Sequence, residues 1–442
     1  MLGQDEIWRI LSLAQEACHA DANQVSLIAE DSGLTRFANG GIHQNVAERN
    51  AVLQVKAILG KRTGYVETNA LDEESVRTAA QTAVEFARLA VENPNYVDLP
   101  GPNAQTQGGA QWDEATAACS PEARADLVGQ VLAEAEPQAV VASGSLSTAG
   151  IERAVMNSRG LRAYYRNTET HLVVACTKAT GNGWAERHSP WLHDISAASA
   201  AKEAVQGCLS AQEPQAIEPG DYPVVLMPYA VEDMLQTLGW MGMGALAVQE
   251  QRSWMAGRIG EQLAGANVSV WDDGLDPRGF VRPFDPEGVA RRRVDILKDG
   301  VALGPVYDSL TAHKEGRQST GHATSALGNW GPSPANLVMP GADDALEDLL
   351  RRMGRGLLVT RFHYTNVIHP IETTFTGMTR DGTFLVEGGQ IVRPVKNLRF
   401  TQSILGALNA VEAAGRDVRL FQHTLCPPLL IHSFHFTGGT DF

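Results

Sequence analysis

The sequence predicts a multidomain α+β protein in which mixed or antiparallel sheets are flanked by helices. The 442 residues exceed the ~100–200 residues of an ordinary domain, so two or three domains are expected. Amphipathic helical patterns lie between short extended runs, and turns that contain Gly or Asn join neighbouring runs. No repeat of about 20–50 residues recurs, which disfavours solenoids and propellers.

The first predicted domain covers residues 1–112. Apolar residues on one face predict a helix over residues 5–19, and Cys18 belongs to this face, so we expect it in the core. A second helix is expected to end at Pro94. Between the helices, Asn-Gly-Gly at 39–41 supplies the positive φ angles of a hairpin turn. The extended runs of this domain are 25–29, 35–38, 42–46 and 51–59.

The second predicted domain covers residues 113–218. It follows a stretch rich in Pro, Gly, Asn and Gln at 93–113, which predicts a linker or an ordered loop. A Ser-Pro start predicts a helix over residues 120–136, and Asp194 is expected to cap a second helix over 195–208. The extended runs are 139–147, 151–156, 161–165 and 168–180.

The third predicted domain covers residues 219–442 and follows a Glu- and Pro-containing boundary at 213–220. It opens with a strand at 222–227, and many short extended pieces joined by Gly-containing turns come after it. Its helices are expected from Tyr229 onwards and over residues 343–353 and 401–414.

The charge balance excludes one class of partner. With 36 Lys and Arg against 51 Asp and Glu, the formal net charge is −15, so we expect no nucleic-acid binding. Five cysteines without a CxxC pair are typical of a reducing compartment. The start of the chain does not resemble a signal peptide, and no apolar stretch approaches the ~20 residues of a membrane span. We therefore expect a cytoplasmic protein that does not bind membranes.

The sequence contains no HExxH, GxSxG, Walker loop or strand-linked GxGxxG motif. Zinc needs three or four ligands that converge at ~2.0–2.3 Å. On one strand, His363 and His369 would lie ~20 Å apart, and His432 and His435 would face opposite sides. We therefore expect no native metal site and interpret these histidines as surface or sheet-face residues.

Further segments allow both a chemical and a structural interpretation. His423 and Cys426 could form a Cys–His nucleophile, but an inert, half-buried thiol is preferred. The basic run 291–293 is interpreted as the solvated face of a strand, with an acidic partner as the alternative. Small residues in segments 285–288 and 318–322 could let a ligand approach the backbone closely, although ordinary turns explain them equally well.

Several motifs that occur in a common order carry a family resemblance over nearly the whole chain. DSGLTRFANGGIHQ and the strand and turn after it lie near the N-terminus, and FDPEGVARR contains an acidic-Glu-Gly motif. The matching segments are 31–44, 51–64, 284–292, 336–341, 387–396 and 415–420. On these motifs the sequence resembles the TldD/PmbA family, once labelled a modulator of DNA gyrase.

The resemblance implies intracellular peptide cleavage by a heteromeric zinc peptidase with two kinds of subunit. The TldD type holds zinc through an HExxxH helix and a cysteine near the C-terminus, whereas the PmbA type, also called TldE, lacks that helix motif. Aligned with the motif, Leu235 and Trp240 replace the two histidines and Gln236 replaces the glutamate. These side chains supply neither zinc ligands nor a general base. Cys426 does not match the ligand cysteine, so no catalytic residue is assigned and the chain resembles the PmbA type.

We therefore expect a non-catalytic PmbA/TldE-like subunit of a metallopeptidase, with no cofactor of its own. A TldD-like HExxxH paralogue would hold the zinc, and the heteromer would bind peptides or unfolded segments by strand addition. The alternative is a free-standing homodimeric binding or regulatory protein without peptidase function. The candidate peptide-binding residues are Ser319, Thr320, Gly321, His322, Tyr364 and Asn366.

Overall fold

The computed structural model describes residues 1–103, 111–326 and 330–440, which form an α+β protein with three sheets. The predicted fold class is confirmed. Residues 104–110, part of the predicted linker, lie outside the described residues. Of the helices in the described ranges, none has the length and apolar character needed to cross a lipid bilayer.

The first sheet contains β1 (Ala22–Ala38), β2 (Gly41–Leu59), β3 (Arg62–Thr68), β4 (Val141–Asn157), β5 (Arg162–Lys178) and β6 (Gly181–Ser189). Its order is β3-β2-β1-β4-β5-β6, and all neighbours are antiparallel. Because β1 pairs with β4, residues 1–112 and 113–218 share one continuous sheet. The short predicted runs merge into long strands because polar residues between them also pair: Glu30 lies opposite Asn50 and Ile151.

The helices of this region are α1 (Gln4–Ala17), α2 (Glu73–Leu89), α3 (Glu114–Ala117), α4 (Pro121–Ala135) and α5 (Ala197–Ser210). α1 and α2 pack on the half of the sheet built from β1–β3, and α4 and α5 pack on the half built from β4–β6. The predicted apolar face of α1 is confirmed, since Ile7 and Ile10 are buried, and Cys18, which follows the last residue of the helix, is buried in the core as expected. An arrangement of helix, three strands and helix therefore occurs twice.

The caps of two helices test the predicted helix starts. Ser120 accepts a backbone hydrogen bond from the first turn of α4, and Pro121 occupies that turn, as predicted. Asp194 does not cap α5, because the hydroxyl of Ser196 accepts the corresponding bond instead.

The second sheet contains β7 (Gly220–Leu226), β12 (Gly356–His369), β13 (Thr374–Glu387), β14 (Gln390–Pro394), β15 (Leu398–Ser403), β16 (Val411–Ala414) and β19 (Leu429–Gly439). Its order is β12-β7-β19-β15-β13-β14, and β16 pairs with β19. β12 also pairs with β13, so β12, β7, β19, β15 and β13 close into a ring. Buried aromatic rings fill its core, among them Phe362, Phe375, Phe400 and Phe434.

The third sheet contains β8 (Val270–Asp272), β9 (Val294–Lys298), β10 (Val301–Ala302), β11 (Leu337–Val338), β17 (Arg419–Leu420) and β18 (Thr424–Cys426). The C-terminal helices are α6 (Pro228–Gly242), α7 (Ala245–Gln249), α8 (Ser309–Lys314), α9 (Leu346–Met353) and α10 (Ile404–Asn409). α6 contacts β12 of the second sheet and β18 of the third, so it joins the two sheets.

Two sequence-based predictions are wrong in this region. The helix expected over 401–414 is instead the end of β15, the short α10 and β16, because β15 and β16 both pair within the second sheet. In the basic run, Arg292 and Arg293 are exposed as expected, but Arg291 is buried.

Candidate functional site

Because successive side chains of a strand point to opposite faces, one face of the first sheet packs against its helices and the other faces the C-terminal half of the chain. Along β1, Val25 and Leu27 belong to the core beneath the helices, whereas Ser26 and Ile28 line a cavity on the other side. The opposite wall of this cavity comes from residues 236–423, so the cavity lies between the first sheet and the C-terminal domain.

Two neighbouring cavities form what we call the central cleft. The inner cavity is the one lined by Ser26 and Ile28, and it measures about 400 Å³. The outer cavity is lined by Thr148 and His171, among others, and measures about 540 Å³. Arg153, Arg282 and His423 line both. Nη1 of Arg282 lies 3.2 Å from Nδ1 of His423. Burial and the neighbouring Arg282 lower the pKa of His423, which favours the neutral ring as acceptor of this bond.

α6 reaches the inner cavity through Gln236, whose Nε2 donates to Thr424 Oγ1 at 2.6 Å. Leu235 is fully buried in the core, and the Trp240 side chain is exposed. The three positions matched to the HExxxH motif from the sequence therefore present an aliphatic group, an amide and an indole. These groups do not fit a zinc ion.

Cys426 is an unreactive thiol in this environment. It is fully buried, and its Sγ donates to the backbone carbonyl of Pro228 at 3.4 Å. Burial raises the pKa of Cys426 well above its ordinary value, which disfavours the nucleophilic thiolate. These contacts favour the inert-thiol interpretation, with the thiol wholly rather than half buried.

The acidic-Glu-Gly segment lies beside the inner cavity. The carboxylate of Asp285 is buried and accepts the backbone N–H groups of Glu287 and Val289, each at 3.0 Å, and of Ala323 at 2.9 Å. Burial raises the pKa of Asp285, and burial together with Asp285 raises the pKa of Glu287 to about 7. The carboxylate of Asp285 thus stabilises the conformation of this loop through hydrogen bonds to the loop's own backbone.

The same loop contacts the first sheet closely. Gly288 has a φ of +81°, and a Cβ atom there would lie 2.7 Å from Cδ2 of Leu161. The side chain of Gln24 donates to the carbonyl of Pro286 at 3.0 Å. The segment 285–288 thus fastens the C-terminal domain to the first sheet, and Gly288 is required for that close approach.

Arg291 also lines the inner cavity. Its side chain is buried, yet its Nε and Nη1 atoms have no hydrogen-bond partner among the residues that the structure describes. Buried donors are normally paired, so these two nitrogens are an exception to that rule, although both are themselves shielded from the cavity. What Arg291 brings to the edge of the cavity is the positive charge of its guanidinium. From the sequence alone, Arg291 is expected to be solvated like its neighbours Arg292 and Arg293.

The predicted peptide-binding residues fall into two separate groups. Ser319–His322 form a loop in which Thr320, Gly321 and His322 are buried. The second group, Tyr364–Asn366, lies on β12, where the Tyr364 side chain is exposed. None of these residues lines the central cleft, although Ala323 and Thr324, which directly follow the first group, line its inner cavity. Peptide binding by these residues stays a prediction.

The histidines singled out in the sequence do not gather around one point. His432 and His435 bond to different carboxylates, and His363 and His369 lie along β12. A set of potential metal ligands that lie closer together was not apparent from the sequence. Across the described residues, one group of at least three metal-ligating side chains converges: His171, Glu186 and His188, all within 4.8 Å of one another. The sequence feature that could have revealed this set is the Glu-x-His pattern at 186–188 on β6, which pairs with His171 on β5.

Comparison with known proteins places the chain in a family. The model of the PmbA/TldA metallopeptidase C-terminal domain matches residues 219–438, and that of PmbA/TldA metallopeptidase domain 1 matches residues 25–87. Metalloprotease PmbA of Escherichia coli O157:H7 is 26% identical over 294 residues, which are 64% of this chain and 61% of that protein.

Two longer matches extend over nearly the whole chain. The Metalloprotease PmbA homolog of Haemophilus influenzae is 23% identical over 457 aligned positions, 99% of this chain and 97% of that protein. The crystal structure of TldE from Thermococcus kodakarensis superposes with a TM-score of 0.87 at 18% identity, covering 98% of this chain and 99% of that one. With the matched domain models and the shared fold, the chain belongs to the PmbA/TldD family.

Proposed function

We propose that this chain is a non-catalytic, PmbA/TldE-like subunit of a zinc peptidase and completes the peptide-binding cleft of an HExxxH-bearing partner. The observation that carries the proposal lies on α6. There the position of the motif's glutamate is Gln236, which borders the inner cavity and is already hydrogen bonded to Thr424. The cleft is retained beside a helix that lacks zinc ligands at the motif positions, as expected for a subunit that binds substrate without cleaving it.

The chemistry of the cleft supports a peptide ligand. Arg153, Arg282 and Arg291 line it, so the cleft presents three guanidinium groups to a ligand. A peptide presents a carbonyl acceptor at every residue and a carboxylate at its end. Arginine binds both groups with directed N–H donors, so these side chains suit the backbone of a peptide more than its particular side chains.

The cytoplasm is the compartment that we propose. All five cysteines lie in described residues and are free thiols, and four of them are buried. Unpaired cysteines are typical of reducing compartments. The alternative function, a homodimeric binding or regulatory protein, would use the same cleft without a zinc-bearing partner.

Assembly is the direct test. This chain, a TldD-like HExxxH paralogue and their mixture would be compared by size-exclusion chromatography and with a fluorogenic peptide library. We expect co-elution and cleavage only in the mixture. Equal cleavage by the paralogue alone, with no co-elution, would refute the subunit role and favour the homodimeric alternative.

A pair of variants tests the cleft within that complex. Arg291→Lys keeps a positive charge beside Asp285 but removes the planar guanidinium at the edge of the inner cavity, so KM for peptides should rise about tenfold, the effect of ~1.4 kcal/mol. Arg292→Lys changes the exposed neighbour and should leave KM unchanged. Equal KM values for both variants would show that Arg291 does not contact the peptide.

A further inference from the structure

The hairpin of β5 and β6 places three potential metal ligands on one face of the first sheet. His171 and His188 are direct cross-strand partners in the antiparallel register. Glu186 precedes His188 by two residues, so its side chain leaves β6 on the same face. His171 and His188 both line the outer cavity, so this face opens into the central cleft.

The ligand atoms of these residues already converge. Nε2 of His171 lies 2.9 Å from Oε1 of Glu186, and Nε2 of His188 lies 2.8 Å from the same oxygen. The two imidazole rings are stacked, with centroids 3.9 Å apart and planes inclined by 14°. Two ring nitrogens and one carboxylate oxygen thus lie within 4.8 Å of one another. Because the lone pair of an imidazole nitrogen lies in the plane of its ring, one of the stacked rings must turn before both nitrogens can face a single ion.

The spacing is close to that of a zinc site. Ligand atoms at ~2.0–2.2 Å from a tetrahedral zinc ion lie about 3.4 Å from one another. Metal binding would require the Glu186 carboxylate to move outward by about half an ångström from each imidazole and the two stacked rings to turn towards the ion. Three protein ligands leave a fourth position, and the outer cavity gives water or a substrate group access to it.

The surroundings hold the three side chains in place. The backbone N–H of Glu186 donates to the hydroxyl of Tyr229 at 3.1 Å, and the side chain of His188 is 8% exposed. His171, at 37% exposed, borders the cavity and provides the route by which an ion would enter.

We propose that His171, Glu186 and His188 bind one divalent transition-metal ion, with zinc as the preferred ion, on the sheet wall of the central cleft. Two imidazoles and one carboxylate are a donor set that zinc accepts. The site is separate from the HExxxH position on α6, and it does not depend on the proposed subunit role, because this chain alone supplies every protein ligand.

The test uses the full-length chain alone, stripped with a chelator, and in a Cys119→Ser background that removes the one partly exposed thiol. Co²⁺ would be titrated while its visible absorption is followed, and Zn²⁺ would then be added as competitor. We expect one ion per chain and displacement of Co²⁺ by Zn²⁺. Absence of stoichiometric binding would overturn the proposal.

Substitutions assign the ligands. His171→Gln, His188→Gln and Glu186→Gln should each weaken zinc binding by at least about 100-fold, since loss of even an outer-shell partner costs about 10–100-fold. His432→Gln is the matched control, because His432 pairs with the single carboxylate of Glu412 at 3.0 Å. It should bind zinc like the unmodified chain.

Thermal unfolding separates ligand loss from misfolding. Zinc should raise the Tm of the unmodified chain and of His432→Gln, but not that of the folded His171→Gln variant. His171 borders the cavity, so its replacement leaves the core unchanged. Equal zinc affinity in the three ligand variants and the control would place the ion elsewhere and contradict the assignment.

Discussion

Nε2 of His322 lies 2.7 Å from Oδ1 of Asp272, and neither side chain is exposed to solvent. The second oxygen of Asp272 accepts the backbone N–H groups of Ala335 at 2.6 Å and Asn336 at 2.7 Å. Although burial opposes ionisation, His322 and these hydrogen bonds lower the pKa of Asp272. The buried carboxylate is thus held by three hydrogen-bond partners, His322 and the two backbone N–H groups.

His322→Ala should lower the unfolding free energy by about 3–5 kcal/mol, because it leaves a buried carboxylate without its partner. Chemical denaturation measures the effect. His313→Ala, at an exposed position of α8, is the control and should change stability by less than about 0.5 kcal/mol. If His322 instead contacts peptide, its replacement would weaken peptide binding and leave the unfolding free energy unchanged.

Gly288→Ala should destabilise the contact between the C-terminal domain and the first sheet. A positive φ costs a non-glycine residue about 1–3 kcal/mol, and crowding against Leu161 adds about 1–3 kcal/mol. Gly129→Ala, in open space on α4, should instead stabilise by about 0.5–1 kcal/mol. Urea unfolding of both variants gives the comparison; a neutral Gly288→Ala would mean that the two parts readily move apart.

Glu287 should make stability depend on pH. Burial and Asp285 raise its folded-state pKa to about 7 from a reference value of 4.5, so the folded protein retains a proton that the unfolded chain releases. The stabilising contribution is therefore complete below pH 4.5 and is lost as the pH rises to about 7. Glu287→Gln imitates the protonated form and should be more stable than the unmodified chain at pH 8, by on the order of 2–3 kcal/mol.

The control for this pH dependence is Glu85→Gln, which changes an exposed glutamate on α2. Its stability should follow that of the unmodified chain across the pH range. Parallel pH profiles for the unmodified chain and Glu287→Gln would contradict a raised pKa at Glu287.

Restoring the motif on α6 should not create a peptidase. In the combined variant Leu235→His, Gln236→Glu, Trp240→His, the main cost comes from Leu235, whose removal from the core costs about 2–5 kcal/mol. The other large side chain that is replaced is that of Trp240. It is 73% exposed, so Trp240→His alone should be nearly neutral.

Metal analysis and a fluorogenic peptide assay check the combined variant. We expect no more tightly bound zinc per chain than in the unmodified protein and no turnover, because two new imidazoles lack a third protein ligand at that position. An additional zinc ion together with peptide cleavage would show that a complete catalytic site remains around α6.

Duplex DNA should not bind at physiological salt. The net charge of −15 repels phosphates, and one member of the only dense basic run, Arg291, is buried. An electrophoretic shift assay checks this expectation. A salt-sensitive shift at micromolar concentrations, within the non-specific range of ~10⁻⁴–10⁻⁶ M, would contradict it.

Local patterns in the sequence determined much of the secondary structure. Hydrophobic periodicity predicts α1, and the Ser-Pro start predicts α4, because both signals act within a few residues of the chain. The hairpin turn before β2 follows from Asn39 and Gly40, which both adopt positive φ angles. The absence of zinc ligands at Leu235 and Trp240 is likewise a property of the sequence, given the family resemblance.

Pairing between distant segments decided the rest. Glu30 continues β1 only because β2 and β4 supply hydrogen-bond partners on both sides, and residues 411–414 form a strand because β19 lies beside them. Burial of Arg291 and the convergence of His171 with Glu186 depend on domain packing and strand register. Neither is encoded in a short window of sequence, since contacts between remote residues are fixed by the free energy of the whole fold.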